Sequence, residues 1–319
     1  MKVLRKIIIV LCIISLILSI GSCGVPQTDE SLEEQSSEDS ETRQTSKAST
    51  KVQKPTLGYT FSEPPLPDGE LIDTIKVMTY NLQGGKPDGR TLTVRSSSHA
   101  AKINMYDPDL VLLCEARNFD RRDQDLNVGV LTAKCDLSYG IVQFSAERST
   151  NIILYNNDKF ECVSSEVIEL AEGGDEYSRS AVIAVLRLKQ SEKEIVAVST
   201  HLDLNMFAAG EQIREIIDHL SENYSEYDTQ IIAGDLNFES FEVTLMGGPN
   251  SIHEDGLIAS GYYSANIERK RTYTHKSKIL DYIYFKGAYP EKYRVVTDSV
   301  GDYEPSDHYP VYTELAIYG

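Results

Sequence analysis

Short apolar runs separated by polar turns follow one another through residues 73–319, a pattern typical of β-strands. Leu110–Cys114 is apolar at every position, as expected of a strand buried on both faces. Ile75–Asn81 alternates well enough to form a strand before it. Further strands are predicted at Tyr139–Phe144, Ile152–Tyr155, Ala181–Leu188, Ile195–Thr200, from Ile231 to Asp235, and at Leu280–Phe285, Tyr293–Thr297 and Val311–Ala316.

A second pattern, with the helical period, lies between these runs. Met206–Leu220 places apolar residues three or four positions apart, which predicts an amphipathic helix packed on a sheet. Ser96–Tyr106 is predicted to be a helix that ends before Asp107-Pro108, and another is predicted near Glu254–Ser260. Helices interleaved with many strands favour an α/β fold with two helix-covered sheets.

The N-terminus has the pattern of an export signal. Lys2, Arg5 and Lys6 precede the apolar run 7–20, and the small residues of Ile20-Gly-Ser-Cys23 follow. This tetrapeptide resembles a bacterial lipoprotein box. The resemblance implies a signal peptide over residues 1–22, cleavage before Cys23, and lipid on its sulfur that holds the exported protein on the outer face of the bacterial cytoplasmic membrane.

Residues 23–72 are predicted to be a polar tether. Gln27–Lys54 has almost no apolar residue, so it cannot bury enough surface to offset its ordering entropy. The proline-rich Pro55–Pro67 is predicted to be a stiff, extended lead into the first strand. Residues 73–319 have a length that suits one large catalytic domain.

The chain is acidic, with a formal net charge of −18. Residues 1–72 hold seven Lys/Arg and ten Asp/Glu, a net of −3, which leaves −15 for residues 73–319. Such a surface disfavours tight, sequence-indifferent binding of polyanions, but it permits a hydrolase that recruits a divalent cation.

Five cysteines are present, of which Cys12 lies in the signal and Cys23 is the expected lipid site. Cys114 ends an apolar run and is expected to be a core residue. Cys135 and Cys162 remain open to pairing after export.

Polar side chains capable of chemistry recur where predicted strands end. Asp235 and Asn237 lie two residues apart after an apolar strand, so both can address one metal ion or phosphate. Five other segments carry similar groups: Val77-Met-Thr-Tyr-Asn81, Asp109–Glu115, Ser199-Thr-His-Leu-Asp203, Ile279–Tyr284 and Ser306-Asp-His-Tyr-Pro-Val311.

In this order the six segments resemble the endonuclease/exonuclease/phosphatase superfamily from about Thr74 to the C-terminus. The resemblance implies a four-layer α/β sandwich, in which two mostly antiparallel sheets are flanked by helices. It also implies metal-dependent hydrolysis of phosphodiester bonds.

The resemblance assigns a role to each polar group. Asn81, Glu115 and Asp307 would bind Mg²⁺ or Mn²⁺, with Glu115 as the principal carboxylate and the number of ions left open. The catalytic groups would be His201, Asp235, Asn237, Asp281 and His308, with Asp281 orienting His308. Either Asp235 or His308 would be the general base. Asp203 is a candidate to orient His201, although the family places the corresponding carboxylate elsewhere.

Substrate residues are suggested by basic clusters. Arg117 and Arg179 match family positions near the phosphate. Arg121 and Arg122 follow Arg117. Tyr273, His275 and Tyr282 could stack on bases among the second cluster, which contains Arg269, Lys270, Arg271, Lys276 and Lys278.

These clusters favour a nuclease. The protein is expected to be a monomer, and no stable protein partner is inferred. A sphingomyelinase-like or other lipid or small-molecule phosphodiesterase or phosphatase is the alternative. It ranks lower because the chain has no Trp and no evident exposed apolar loop. A catalytically silent surface binding protein is the third class.

Overall fold

The structure is a computed structural model, and it describes residues 64–85, 87–116, 128–145, 148–173, 178–238, 254–266 and 270–319. The export signal, Cys23, the tether up to residue 63, and Arg117, Arg121, Arg122 and Arg269 lie outside the described residues. Within the described ranges, no helix is long and apolar enough to span a bilayer.

Two mixed sheets of six strands form the centre of the domain. The first has the order β11-β12-β1-β2-β4-β3, with β1 (Leu71–Asn81), β2 (Leu110–Cys114), β3 (Tyr139–Val142), β4 (Ile152–Asn156), β11 (Ala288–Val295) and β12 (Val311–Tyr318). The second has the order β5-β6-β7-β8-β10-β9, with β5 (Phe160–Glu169), β6 (Ser180–Leu188), β7 (Glu194–His201), β8 (Gln230–Asp235), β9 (Tyr263–Ser264) and β10 (Asp281–Lys286).

Helices cover the outer face of each sheet. They are α1 (Leu92–Asn104), α2 (Val128–Thr132), α3 (Met206–Asn223) and α4 (Glu254–Ala259), with a 3-10 turn at Pro87–Gly89. Ile103 of α1 belongs to the same core cluster as Val111 of the first sheet, and Ile213 of α3 to the same cluster as Val198 of the second. Between the sheets, a third cluster joins residues such as Leu112 to residues of the second sheet. The predicted four-layer sandwich is therefore confirmed.

One parallel strand pair in each sheet positions the polar groups. β1 runs parallel to β2 with Asn81 opposite Cys114, and β7 runs parallel to β8 with His201 opposite Asp235. The other adjacent pairs among the described strands are antiparallel. Because the side chains of Asn81 and Asp235 are in contact, the two parallel pairs end at one common edge.

Several element boundaries differ from the predicted ones. The first helix begins at Leu92 rather than Ser96, because the Thr91 side chain caps it by accepting a hydrogen bond from the Val94 amide. The predicted strand at Tyr293–Thr297 is instead Ala288–Val295. Strand β5 was not predicted, since most of its central side chains are exposed and polar.

Candidate active site

Asn81, the last residue of β1, lies at the centre of a polar cluster. Its side chain is 1% exposed, and its amide nitrogen donates to Glu115 Oε1 at 3.0 Å and to Asp235 Oδ2 at 2.9 Å. The amide oxygen accepts a hydrogen bond from the Gln83 backbone at 2.9 Å. One carboxamide therefore links carboxylates that follow β2 and end β8.

Glu115 leaves β2 in the left-handed region, with φ of 47°. This turn aims the carboxylate back into the cluster, where Oε2 accepts from the Gly84 amide at 2.8 Å. Burial raises the pKa of Glu115, while the hydrogen bond from Asn81 and the charge of His308 act in the opposite direction.

His201 ends β7 beside Asp235. The Asn237 amide nitrogen donates to His201 Nε2 at 3.0 Å and to the Leu202 carbonyl at 2.9 Å. Because Nε2 accepts, the proton of the neutral ring belongs on Nδ1, which lies 3.8 Å from Glu115 Oε1. Burial, with the positive charges of Arg179 and His308, holds the pKa of His201 well below its usual value. The ring is therefore neutral at physiological pH.

His308 and Asp281 form a buried pair. His308 Nδ1 donates to Asp281 Oδ2 at 2.8 Å, and Nε2 lies 3.6 Å from Asp235 Oδ2. Burial alone would lower the pKa of His308, but the charges of Asp281 and Asp235 outweigh it and raise this pKa. Burial also raises the pKa of Asp235, and His308 only partly opposes this. The pairing predicted for His308 and Asp281 is therefore present.

Asp307 lies at the rim and is held through its backbone. Its amide donates to Gln83 Oε1 at 3.2 Å, and its carbonyl accepts from the Thr274 amide at 2.8 Å. The negative charge of Asp307 contributes to the raised pKa of Glu115.

The donor set suits a hard divalent cation. Glu115 and Asp235 share the Asn81 amide, Asp281 pairs with His308, and Asp281 Oδ1 is buried with no hydrogen-bond partner among the described residues. The ligand atoms of Asp235, Asp281 and His308 lie within 4.8 Å of one another. His308, however, is occupied by Asp281 and held protonated, so it is a poor ligand. Glu115 and Asp307 are better suited as metal ligands. An ion beside Glu115 would favour the opposite orientation of the Asn81 amide, because only the amide oxygen can bind a metal.

Asp203 does not orient His201, contrary to the candidate role considered for it. Its amide donates to Gln212 Oε1 at 2.9 Å, and its Oδ1 accepts from the Asn205 amide at 2.6 Å. His201 Nδ1 has no hydrogen-bond partner among the described residues. Asp203 instead shapes the start of α3.

The residues predicted to contact the substrate lie partly around the active site and partly in the hydrophobic core. Arg179 is 7% exposed and its charge acts on His201, whereas Arg117 lies outside the described residues. Tyr273 packs on His308 with ring centroids 5.1 Å apart. Tyr282 is 3% exposed and stacks on Phe238 in the core, so the suggestion that it stacks on bases was wrong.

The three cysteines that the structure describes are free thiols. Cys114 is fully buried, as predicted, and its sulfur accepts a hydrogen bond from the Asp235 amide at 3.4 Å. Cys135 and Cys162 are also unpaired, which resolves the alternative that the sequence left open.

Sequence reasoning did not select Ser306, although this residue connects two parts of the site. Its hydroxyl donates to the Asn81 carbonyl at 2.7 Å and accepts from the His308 amide at 3.1 Å. The only available signal was its position immediately before Asp307-His308.

A sequence profile described as "Endonuclease/Exonuclease/phosphatase family" matches residues 78–308, a span that contains every group of this cluster. The chain belongs to the endonuclease/exonuclease/phosphatase family. Members are hydrolases of phosphodiesters or phosphate esters and generally depend on a divalent metal. A search of curated proteins found no match.

Solved structures with the same fold include proteins with different described activities. An endonuclease/exonuclease/phosphatase from Bacteroides vulgatus is 18% identical with TM-score 0.62, and the match covers 77% of this chain and 100% of that one. A mannosyl-6-phosphatase from Bacteroides thetaiotaomicron VPI-5482 is 18% identical with TM-score 0.62, covering 76% and 100%. D. rerio TDP2 complexed with a single-strand DNA product is 17% identical with TM-score 0.57, covering 76% and 99%. At these identities the likeness concerns the fold alone.

Proposed function

We propose that the protein is a Mg²⁺-dependent phosphodiesterase that cleaves nucleic acid. The observation that carries this proposal is the convergence of His308–Asp281, Asp235, His201–Asn237 and Glu115–Asn81 at one edge of two sheets. Phosphodiester hydrolysis needs a proton acceptor, a proton donor and groups that bind the phosphoryl oxygens, and this cluster contains candidates for each.

The electrostatics suggest how the roles divide. Glu115, Asp307 and Asn81 would hold Mg²⁺, which supplies charge neutralisation for the phosphoryl oxygens when bound. Asp235, whose pKa is raised, is suited to take the proton from the attacking water. His308, held protonated by Asp281, is suited to give a proton to the leaving oxygen. Neutral His201 would donate a hydrogen bond from Nδ1 to a non-bridging oxygen, and Asn237, whose two amide protons go to His201 Nε2 and the Leu202 carbonyl, would orient the ring.

The segment 270–278 supports a nucleic-acid substrate. Lys270, Arg271 and Lys276 are exposed, and the segment pairs with the site through a β-bridge between Tyr273 and His308. Exposed cations beside a stacking aromatic ring are typical of surfaces that bind single-stranded nucleic acid.

Charge reversal tests this surface. We expect Lys270→Glu with Arg271→Glu to raise KM for DNA or RNA and flatten its salt dependence, because fewer counterions are released on binding. Turnover of a small chromogenic phosphodiester should stay near that of the unaltered protein. The matched control is Lys189→Glu with Lys193→Glu, which makes the same charge change in the β6–β7 turn, at the opposite strand ends from His201. An equal effect from both pairs would contradict a local substrate surface.

A phosphodiesterase acting on lipid is the second candidate, and one observation favours it. Leu204 and Phe207 are 68% and 64% exposed at the start of α3, immediately after the His201 turn. This corrects the expectation that no exposed apolar loop is present. Hydrolysis of sphingomyelin vesicles with no cleavage of DNA or RNA would select this candidate.

We further propose that the protein is exported and held on the outer face of the membrane by lipid on Cys23. The charged start, apolar run and Ile20-Gly-Ser-Cys23 support this location. The nuclease would then act on nucleic acid outside the cell.

A further inference from the structure

A buried arginine lies beneath two loops of the site. Arg95 of α1 is 1% exposed, although an arginine side chain is seldom buried without partners. Its guanidinium donates to the Leu82 carbonyl at 2.9 Å, to the Gln83 carbonyl at 2.6 Å and, with a short contact, to the Pro305 carbonyl. One side chain therefore connects the loop after β1 with the loop before β12.

Each of these loops carries groups of the active site. In the first, the Gly84 amide binds Glu115 Oε2 and the Gln83 side chain accepts from the Asp307 amide. In the second, Pro305 directly precedes Ser306, Asp307 and His308. A shift of either loop would move a carboxylate that is expected to bind the metal.

The hydrogen-bond partners of Arg95 indicate that this side chain holds the backbone of the two loops in place. Every hydrogen bond described for its guanidinium goes to a carbonyl oxygen or to the His99 ring, at 3.2 Å, so all of these partners are neutral. The planar fork of an arginine fixes several carbonyls in one geometry, which the single ammonium of a lysine cannot do.

We propose that Arg95 is a positioning residue, which keeps Glu115 and Asp307 at the separation that the metal requires by clamping residues 82–85 to residues 305–308. The inference rests on the proposed function. Arg95 does not touch the reacting atoms and acts through the Gly84 amide, the Gln83 side chain and the Pro305 carbonyl.

The test compares Arg95→Lys with Lys159→Met. Lys159 is a partly buried cation that also holds backbone. It donates to the Thr74 carbonyl at 2.7 Å and pairs with Asp109 at 3.1 Å and Asp73 at 3.2 Å, and none of its described partners belongs to the site. Binding of Mn²⁺ to each full-length variant is measured by titration calorimetry. Hydrolysis of a chromogenic phosphodiester and the thermal midpoint are measured on the same samples.

We expect Arg95→Lys to weaken Mn²⁺ binding and lower kcat by about 10-fold to 100-fold each, with KM little changed, as for other residues that orient metal ligands. Lys159→Met should lower the thermal midpoint while leaving both quantities unchanged. Unchanged Mn²⁺ affinity in folded Arg95→Lys, or an equal loss in Lys159→Met, would overturn the proposal.

Ser306→Ala gives a second readout, because it weakens the same clamp from the other loop and leaves Arg95 in place. It removes the Ser306 bonds to Asn81 and His308 and so loosens the same clamp. We expect the effects of Ser306→Ala and Arg95→Lys on Mn²⁺ affinity to be non-additive in the double variant, whereas full additivity would overturn the clamp. If the unaltered protein hydrolyses no phosphoester, the proposed function fails, but the Mn²⁺ measurements still decide the role of Arg95.

Discussion

At the residue scale, the site holds two histidines in opposite charge states. Both are buried, but His308 has Asp281 at 2.8 Å, whereas the closest described contact of His201 is the Asn237 amide at 3.0 Å. The effect of a contacting carboxylate on the histidine pKa outweighs that of burial, whereas the effect of a neutral amide does not. His308 is therefore protonated and His201 is neutral. The two rings can therefore perform different tasks in one reaction.

A third buried histidine predicts how stability depends on pH. Burial and the charge of Arg95 hold the pKa of His99 well below its usual value of about 6.5. In the unfolded chain His99 gains a proton near that pH, while in the folded protein it stays neutral. The stability contributed by neutral His99 is therefore present above about pH 6.5 and is lost as the pH falls from there toward the folded-state pKa.

We expect His99→Gln to reduce this acid sensitivity. Each pH unit below about 6.5 should cost the unaltered protein up to about 1.4 kcal/mol from this residue, until the folded-state pKa is reached. The variant should be less stable at pH 7.5 but lose less between pH 7.5 and pH 5.0, measured by urea unfolding. Parallel losses in the two proteins would contradict the assignment of a neutral, buried His99.

At the element scale, sequence patterns predict the strands that are buried on both faces. Leu110–Cys114 was predicted with its correct bounds, because a strand that is apolar at every position must be buried on both faces. Strand β5 was not predicted, since Ser164 and Ser165 interrupt its alternation. The site residues at strand ends were predictable because strand ends are fixed by the same runs.

Arg95 shows why part of the site was not predictable. The buried face of a helix is normally apolar. Arg95, His99 and Lys102 would therefore ordinarily be assigned to the solvent-exposed face. Their spacing of four and three residues places them on one face of α1, and all three are buried. Such a polar stripe becomes interpretable only when the carbonyls it binds are known, and these come from distant parts of the chain.

Strands β7 and β8 approach each other closely at Gly234, which predicts the effect of adding a side chain there. Gly234 precedes Asp235 with φ of 155°, and a Cβ there would lie 1.7 Å from the Thr200 carbonyl oxygen. We expect Gly234→Ala to cost about 2–4 kcal/mol and to lower activity in the folded fraction, because Asp235 must move with the strand. Gly256 of α4 is the control, since its Cβ would meet nothing within 4 Å. Equal thermal midpoints for Gly234→Ala and Gly256→Ala would contradict the packing described.

At the scale of the whole molecule, the acidic charge is compatible with the proposed nucleic-acid substrate and membrane location. The domain has a net charge of −15, so the proposed nucleic-acid substrate would be attracted locally by segment 270–278 rather than by the surface as a whole. A lipid anchor would confine such an enzyme to the membrane surface without requiring a membrane-spanning helix.

The anchor can be tested separately from catalysis. We expect Cys23→Ser to abolish partitioning of the mature protein into the detergent phase, because the thiol is the only group that the anchoring reaction could use. Hydrolysis by the purified variant should be unchanged, since the cysteine precedes the catalytic domain by about 50 residues. Partitioning equal to that of the unaltered protein would mean that Cys23 carries no lipid.

The most direct test of the account measures hydrolysis of a small chromogenic phosphodiester by the unaltered protein and by Asp235→Asn, with Mg²⁺ and with a chelator. We expect turnover that needs the metal, and a fall in kcat of about 100-fold or more in the variant, because in the proposed mechanism Asp235 takes the proton from water. The thermal midpoint should be kept or raised, since the substitution removes a buried carboxylate that lies near Asp281 and Glu115. Turnover that persists in chelator, or that is unchanged in Asp235→Asn, would contradict a metal-dependent hydrolase built on this cluster.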